Sequence, residues 1–142
     1  MFSAIRSTSG YTIVELLIVI AIIGILAATV LRSLNDAREE GIDAKIISEM
    51  DAITKRASID FTNAITYDTV CSSNGATQSA VIVDIITSIE SLSTGPVVCN
   101  SDAGIYAISA PLETNFWCVD STGVRKEIGA ALTTSPAQLA CP

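Results

Sequence analysis

"GYTIVELLIVIAIIGILAATVL", residues 10–31, decides how the rest of the chain is read. From Tyr11 to Leu31 there are 21 residues and one charge, Glu15. As a helix rising ~1.5 Å per residue this stretch is about 31 Å long, close to the ~30 Å hydrocarbon core of a bilayer. It predicts a spanning helix. A secretory signal has a shorter apolar region followed by a small-residue cleavage site, whereas here the small residue, Gly10, comes first. A cut after Gly10 keeps the helix in the mature protein and makes Tyr11 the new amino terminus.

Glu15 is the costly residue. A carboxylate at the centre of a spanning helix costs about 2.5 to 3.5 kcal/mol, less near the interface, so such a residue needs a partner. A new amino group at Tyr11 would lie one helical turn before Glu15, at the end where the helix dipole favours negative charge. Between helices packed side by side with an axial offset, the carboxylate of one meets the amine of another. Both charges then leave the apolar medium together, and the pair sets the stagger.

The whole chain, 142 residues, predicts one folded domain at most beyond that segment. Apolar residues are 49% of it and the mean hydropathy is +0.51, with the excess in the first third. The net charge is -7 and the pI about 4.3, so the electrostatic footprint of a nucleic-acid binder is missing. The leader "MFSAIRSTSG" carries one side-chain cation, Arg6, while the chain beyond Arg32 turns acidic at Asp36, Glu39, Glu40 and Asp43. The positive-inside preference keeps such a leader cytoplasmic and exports the remainder. Four cysteines, Cys71, Cys99, Cys118 and Cys141, lie in the exported part, without closely spaced metal-binding pairs. Disulfides of an oxidising compartment are the expectation, and four reduced thiols of a cytosolic domain the alternative. Three connectivities are possible; Cys71 with Cys99 and Cys118 with Cys141 closes the shortest loops.

The run G-Y-T-I-V-E-L-L-I-V-I-A-I-I-G-I-L-A-A resembles the class III signal of type IV pilins and type II secretion pseudopilins. The resemblance covers about the first 30 residues. It implies that a prepilin peptidase cuts after Gly10, that Tyr11 becomes the methylated terminus, and that Glu15 is the fifth mature residue, used in filament assembly. It also implies partners: further copies of the chain and other pilin-like subunits in a helical polymer, the peptidase, an inner-membrane assembly platform, and the membrane before assembly. Localisation follows: a single-pass precursor in the cytoplasmic membrane, then an extracellular or periplasmic filament. Two positions depart from the family. Tyr11 stands where phenylalanine is commoner, and Arg32 where many pilins have a helix-breaking proline. Local melting of the helix near Gly24 therefore has less sequence support, which leans toward a pseudopilin or a divergent minor subunit.

Beyond the apolar run, Ile42, Ile46, Met50, Ile53, Ala57, Phe61 and Ala64 recur every three or four residues among charged positions. One helix over 11–65 is predicted, membrane-spanning over 11–31 and amphipathic after that, following a leader over 1–10. Gly41 is a point where it can bend. Residues 66–142 are expected to form the globular domain on which the amphipathic half packs. Residues 66–79 read as a loop with a turn at Asn74-Gly75. A short helix follows, with its stripe at Ile82, Ile85, Ile86, Ile89 and Leu92 and its stop at Gly95-Pro96. "GIYAISAPL" and the two halves of "TNFWCVDSTGVRKEIG" read as strands of a small antiparallel sheet, with Phe116, Trp117, Cys118 and Val119 in the core. The tail "TTSPAQLACP" is irregular and needs Cys141 to hold it. The fold class is thus α+β.

Without a histidine, Ser-His-Asp and Cys-His mechanisms and imidazole metal sites are excluded, and no Gly-rich phosphate loop is present. Asp84, Glu90, Asp102, Glu113 and Asp120 are scattered, and no D-x-D-x-D pattern supports calcium at the candidate loop residues Asp102 and Asp120. The expectation is a non-enzyme without cofactor: a structural subunit of a type IV pilus-like filament. The alternatives are a pseudopilin of a type II secretion system and a membrane-tethered binding domain that never polymerises.

Overall fold

The computed structural model describes residues 10–142. The expected leader over 1–10, with Arg6, lies outside the described residues except for Gly10. Helix α1 runs Ile13–Ala64, and the chain divides into two units between Arg38 and Glu39, within this helix. In the first unit every described residue is exposed. The helix there is long and apolar enough to cross a membrane, and its most apolar window has no buried residue.

The second unit begins inside α1, not at residue 66. Ile46, Met50, Ile53 and Ala57, spaced by four, three and four, form one helical stripe and are at most 1% exposed. They supply one wall of the main core, so residues 66–142 do not form the globular part by themselves. The helical turn α2 (Asp68–Cys71) buries Val70, and α3 (Ala80–Leu92) buries Ile82 and Ile89. The opposite wall is a four-stranded antiparallel meander: β1 (Val98–Asp102), β2 (Ile105–Pro111), β3 (Phe116–Asp120) and β4 (Arg125–Ile128).

Two elements differ from expectation. Residues 66–79 contain α2, a single turn too short to show periodicity. β1 occupies "VCNSD", whose polar residues hid a strand that pairs with β2 from Val98↔Ser109 to Asp102↔Ile105. The rest of the α+β architecture is as the hydrophobic patterns predict.

β2 is buried on both faces, which explains why its sequence alternates so weakly. Tyr106, Ile108 and Ala110 face the stripe of α1 together with Val119 and the half-buried Trp117. Ala107 faces the other way, into a smaller core with Cys118, Ile128 and Leu132, against which Phe116 and Cys141 pack. The carboxy-terminal tail is therefore the second cover of the sheet.

Candidate functional site

The site is the amino-terminal boundary of α1. Gly10, Tyr11 and Thr12 precede the helix and are non-helical and exposed, and no heavy atom lies within 4 Å of a Cβ built on Gly10. The Gly10–Tyr11 peptide thus lies in open backbone two residues before Ile13.

Glu15 occupies the first turn of α1. Its Oε2 accepts hydrogen bonds from the Thr12 backbone N–H at 2.9 Å and from the Thr12 hydroxyl at 2.8 Å. The Glu15 N–H donates back to Thr12 Oγ1 at 3.3 Å. This is a reciprocal capping box: side chain and backbone of two residues three apart satisfy each other's orphan groups at a helix start. Sequence reasoning sought Glu15's partner at the Tyr11 amine and missed Thr12, although Thr-x-x-Glu before an apolar run signals this cap. Among the described hydrogen bonds, Oε1 of Glu15 accepts none.

The cysteines are joined Cys71 to Cys99, with 28 residues of separation, and Cys118 to Cys141, with 23. The first bridge ties α2 to β1; the second ties β3 to the tail. Two buried polar side chains hold the same tail. Asn100 Nδ2 donates to the carbonyls of Thr133 and Gln138, each at 2.9 Å. Asp120, 2% exposed, accepts at Oδ1 from Thr122 N–H (2.9 Å), Thr122 Oγ1 (2.6 Å) and Val124 N–H (3.2 Å), and at Oδ2 from Cys141 N–H (2.9 Å). Burial works to raise the Asp120 pKa, but the hydrogen bonds from Thr122, Cys141 and Val124 outweigh it and hold the carboxyl below its ordinary value.

The remaining singled-out carboxylates do not converge. Glu90 accepts from Val97 N–H, Asp102 accepts from Asn74 and Ala103, and the Glu113 N–H donates to Asp43. Among the described residues no group of three or more carboxylates or cysteines is placed to hold a metal ion.

Residues 5–31 match the family model described as the prokaryotic N-terminal methylation motif. This motif is the class III signal found on type IV pilins and pseudopilins, and the match covers that segment alone. No curated protein and no solved structure matches the chain.

Proposed function

We propose that the chain is a structural subunit of a type IV pilus-like filament, cut after Gly10, methylated at Tyr11 and polymerised through its apolar helix. The observation that supports this most is the pairing of the methylation motif with a helix whose apolar first part is exposed at every described residue up to Arg38. Val14, Leu17, Ile20 and Ile25 are 64%, 55%, 56% and 68% exposed. Area of this kind contributes ~25 cal/mol per Å² when it leaves water, and the bilayer or a bundle of identical helices is the place for it. Glu15 is the register residue: its carboxylate meets the Tyr11 amine of a neighbouring subunit as both enter the filament core. The disulfide-braced domain forms the outer surface and performs no catalysis. A type II secretion pseudopilus is the second reading, favoured by Arg32 in place of the helix-breaking proline.

Two measurements test the proposal. The intact mass from producing cells, read before and after reduction, is expected to correspond to a chain starting at Tyr11, one methyl group heavier and carrying two disulfides. A chain beginning at Met1, or cut after Leu31, would refute the processing. Glu15→Ala is expected to leave the cut in place and abolish sedimentable polymer; normal polymer in that variant would remove the role given to Glu15.

A further inference from the structure

Ile65 follows the last residue of α1 and has φ +57°, in the left-handed region. Its N–H closes the helix by donating to the Phe61 carbonyl at 2.7 Å. Glycine or asparagine is the usual residue here, and a β-branched side chain is the least suited to it. That side chain is also 79% exposed. At that exposure most of the apolar side chain stands in water, and backbone strain of this kind collects at functional sites such as ligand clamps and switches.

The surroundings of Ile65 are acidic. Tyr67 N–H donates to the Ala103 carbonyl at 3.0 Å, which brings the end of α1 beside the β1–β2 turn. There Asn74 Nδ2 donates to both Asp68 Oδ1 (2.9 Å) and Asp102 Oδ1 (3.0 Å). The two carboxylates share one neutral donor, and neither takes part in an ion pair among the described residues. This end of the domain is an apolar knob with an anionic rim.

The chain carries a complement elsewhere. Leu31 (63% exposed), Leu34 (64% exposed) and the exposed Arg38 are spaced by three and four and share one face of α1. Arg38 joins none of the described ion pairs. This face is apolar with a cation, and it extends past the predicted spanning stretch, where Arg32 and Asp36 bar burial in lipid.

We infer that Ile65 with Asp68 and Asp102 of one copy docks on the Leu31, Leu34 and Arg38 face of α1 in a second copy. The two halves are different surfaces of the same chain, so the contact is head-to-tail and repeats without closing. It rests on the filament reading and adds to it a second contact outside the apolar core. The opposite charges fix its orientation, and Ile65 supplies the buried anchor.

The test uses the full chain in the membranes and filaments of producing cells, with a benzophenone amino acid in place of Ile65. Irradiation is expected to give dimers and higher multimers whose adducts map to residues 30–40 of a second copy. Adducts that map elsewhere, to lipid or to another protein, overturn the inference, as does the absence of inter-copy adducts from chain that sediments as polymer. In that last case the filament reading stands, whereas a native chain that never sediments as polymer refutes that reading first. Ile65→Asn keeps the left-handed backbone comfortable. Its melting temperature in detergent is expected to equal or exceed that of the native chain, while its polymer yield falls on the order of tenfold, the loss of one apolar anchor. A lowered melting temperature, or an undiminished polymer yield, overturns the inference.

Discussion

Replacing Asp120 is the sharpest test of how the domain is held together. The carboxylate accepts four hydrogen bonds that join the β3–β4 turn to the tail, and it is 2% exposed. In Asp120→Ala three backbone N–H groups, of Thr122, Val124 and Cys141, lose a charged acceptor, while the Thr122 hydroxyl can turn to water. A hydrogen bond to a charged group contributes about 1.5 to 3 kcal/mol, and partly exposed ones fall at the low end, so the variant should lose about 3 to 5 kcal/mol. In Asp120→Asn one carbonyl oxygen still serves the turn, but an amide N–H faces the Cys141 N–H, and the loss should be about 1 to 3 kcal/mol. The assay is urea unfolding of the full chain in detergent with disulfides intact, followed by the emission of Trp117, the single tryptophan, on the strand that carries Asp120. The midpoint should fall at unchanged slope. An Asp120→Ala midpoint within about 0.5 kcal/mol of the native chain would refute the reasoning, because that is the scatter of neutral surface substitutions.

The same carboxylate sets an acid limit. Its pKa in the folded chain is depressed, so the ionised form is bound more tightly in the folded than in the unfolded state. The resulting stability is present above the unfolded value of about 3.9 and is lost as the pH falls through the folded value. Below about pH 4 the native chain should therefore lose stability more steeply than Asp120→Asn, in which this titration is absent. Equal slopes in the two chains would contradict the assignment.

Other expectations concern separate parts of the chain. Thr12→Val removes the hydroxyl of the capping box and should cost the first turn of α1 about 0.5 to 2 kcal/mol. Faster amide exchange at residues 13–16 in micelles would report it, and unchanged exchange would mean the cap contributes nothing. Cys71→Ser with Cys99→Ser should lower domain stability by about 2 to 4 kcal/mol, as measured by the urea midpoint. Asn100→Ala unpairs the Thr133 and Gln138 carbonyls and should loosen the tail by about 1 to 3 kcal/mol, read as protease cleavage within residues 130–140.

The hydrophobic patterns made α1, α3 and three of the four strands legible. Ile46, Met50, Ile53 and Ala57 repeat at helical spacing because one face of α1 is buried and the other solvated. β1 escaped because its central residue, Asn100, is buried for what it donates to the tail, and a buried amide reads as a loop residue when the tail's position is unknown. Asp120 escaped for the same reason. Its four donors include one 21 residues away, and no local pattern announces such a contact. At the amino terminus the methylation motif was legible in the sequence, but the Thr12 cap on Glu15 went unread. The left-handed Ile65 left no trace, since nothing in "NAITYD" marks where the helix must turn.

Thr12 bears on the assembly role proposed for Glu15. Were the carboxylate without a partner in the precursor, it would sit in the membrane at a cost of several kcal/mol and draw in water or a proton. The capping box meets part of that need before any neighbour arrives, because Oε2 accepts both Thr12 donors. Both donors survive a cut after Gly10, since the peptide N–H of Thr12 belongs to the Tyr11–Thr12 bond. Oε1 is left without a hydrogen bond among the described residues. One oxygen therefore holds the helix start in register, and on the proposed reading the other can take an incoming ammonium group without breaking the cap. On the proposed reading, subunit addition then gains a charge-assisted bond without first losing those of the cap, the more favourable arrangement in a medium where an unmade bond is costly.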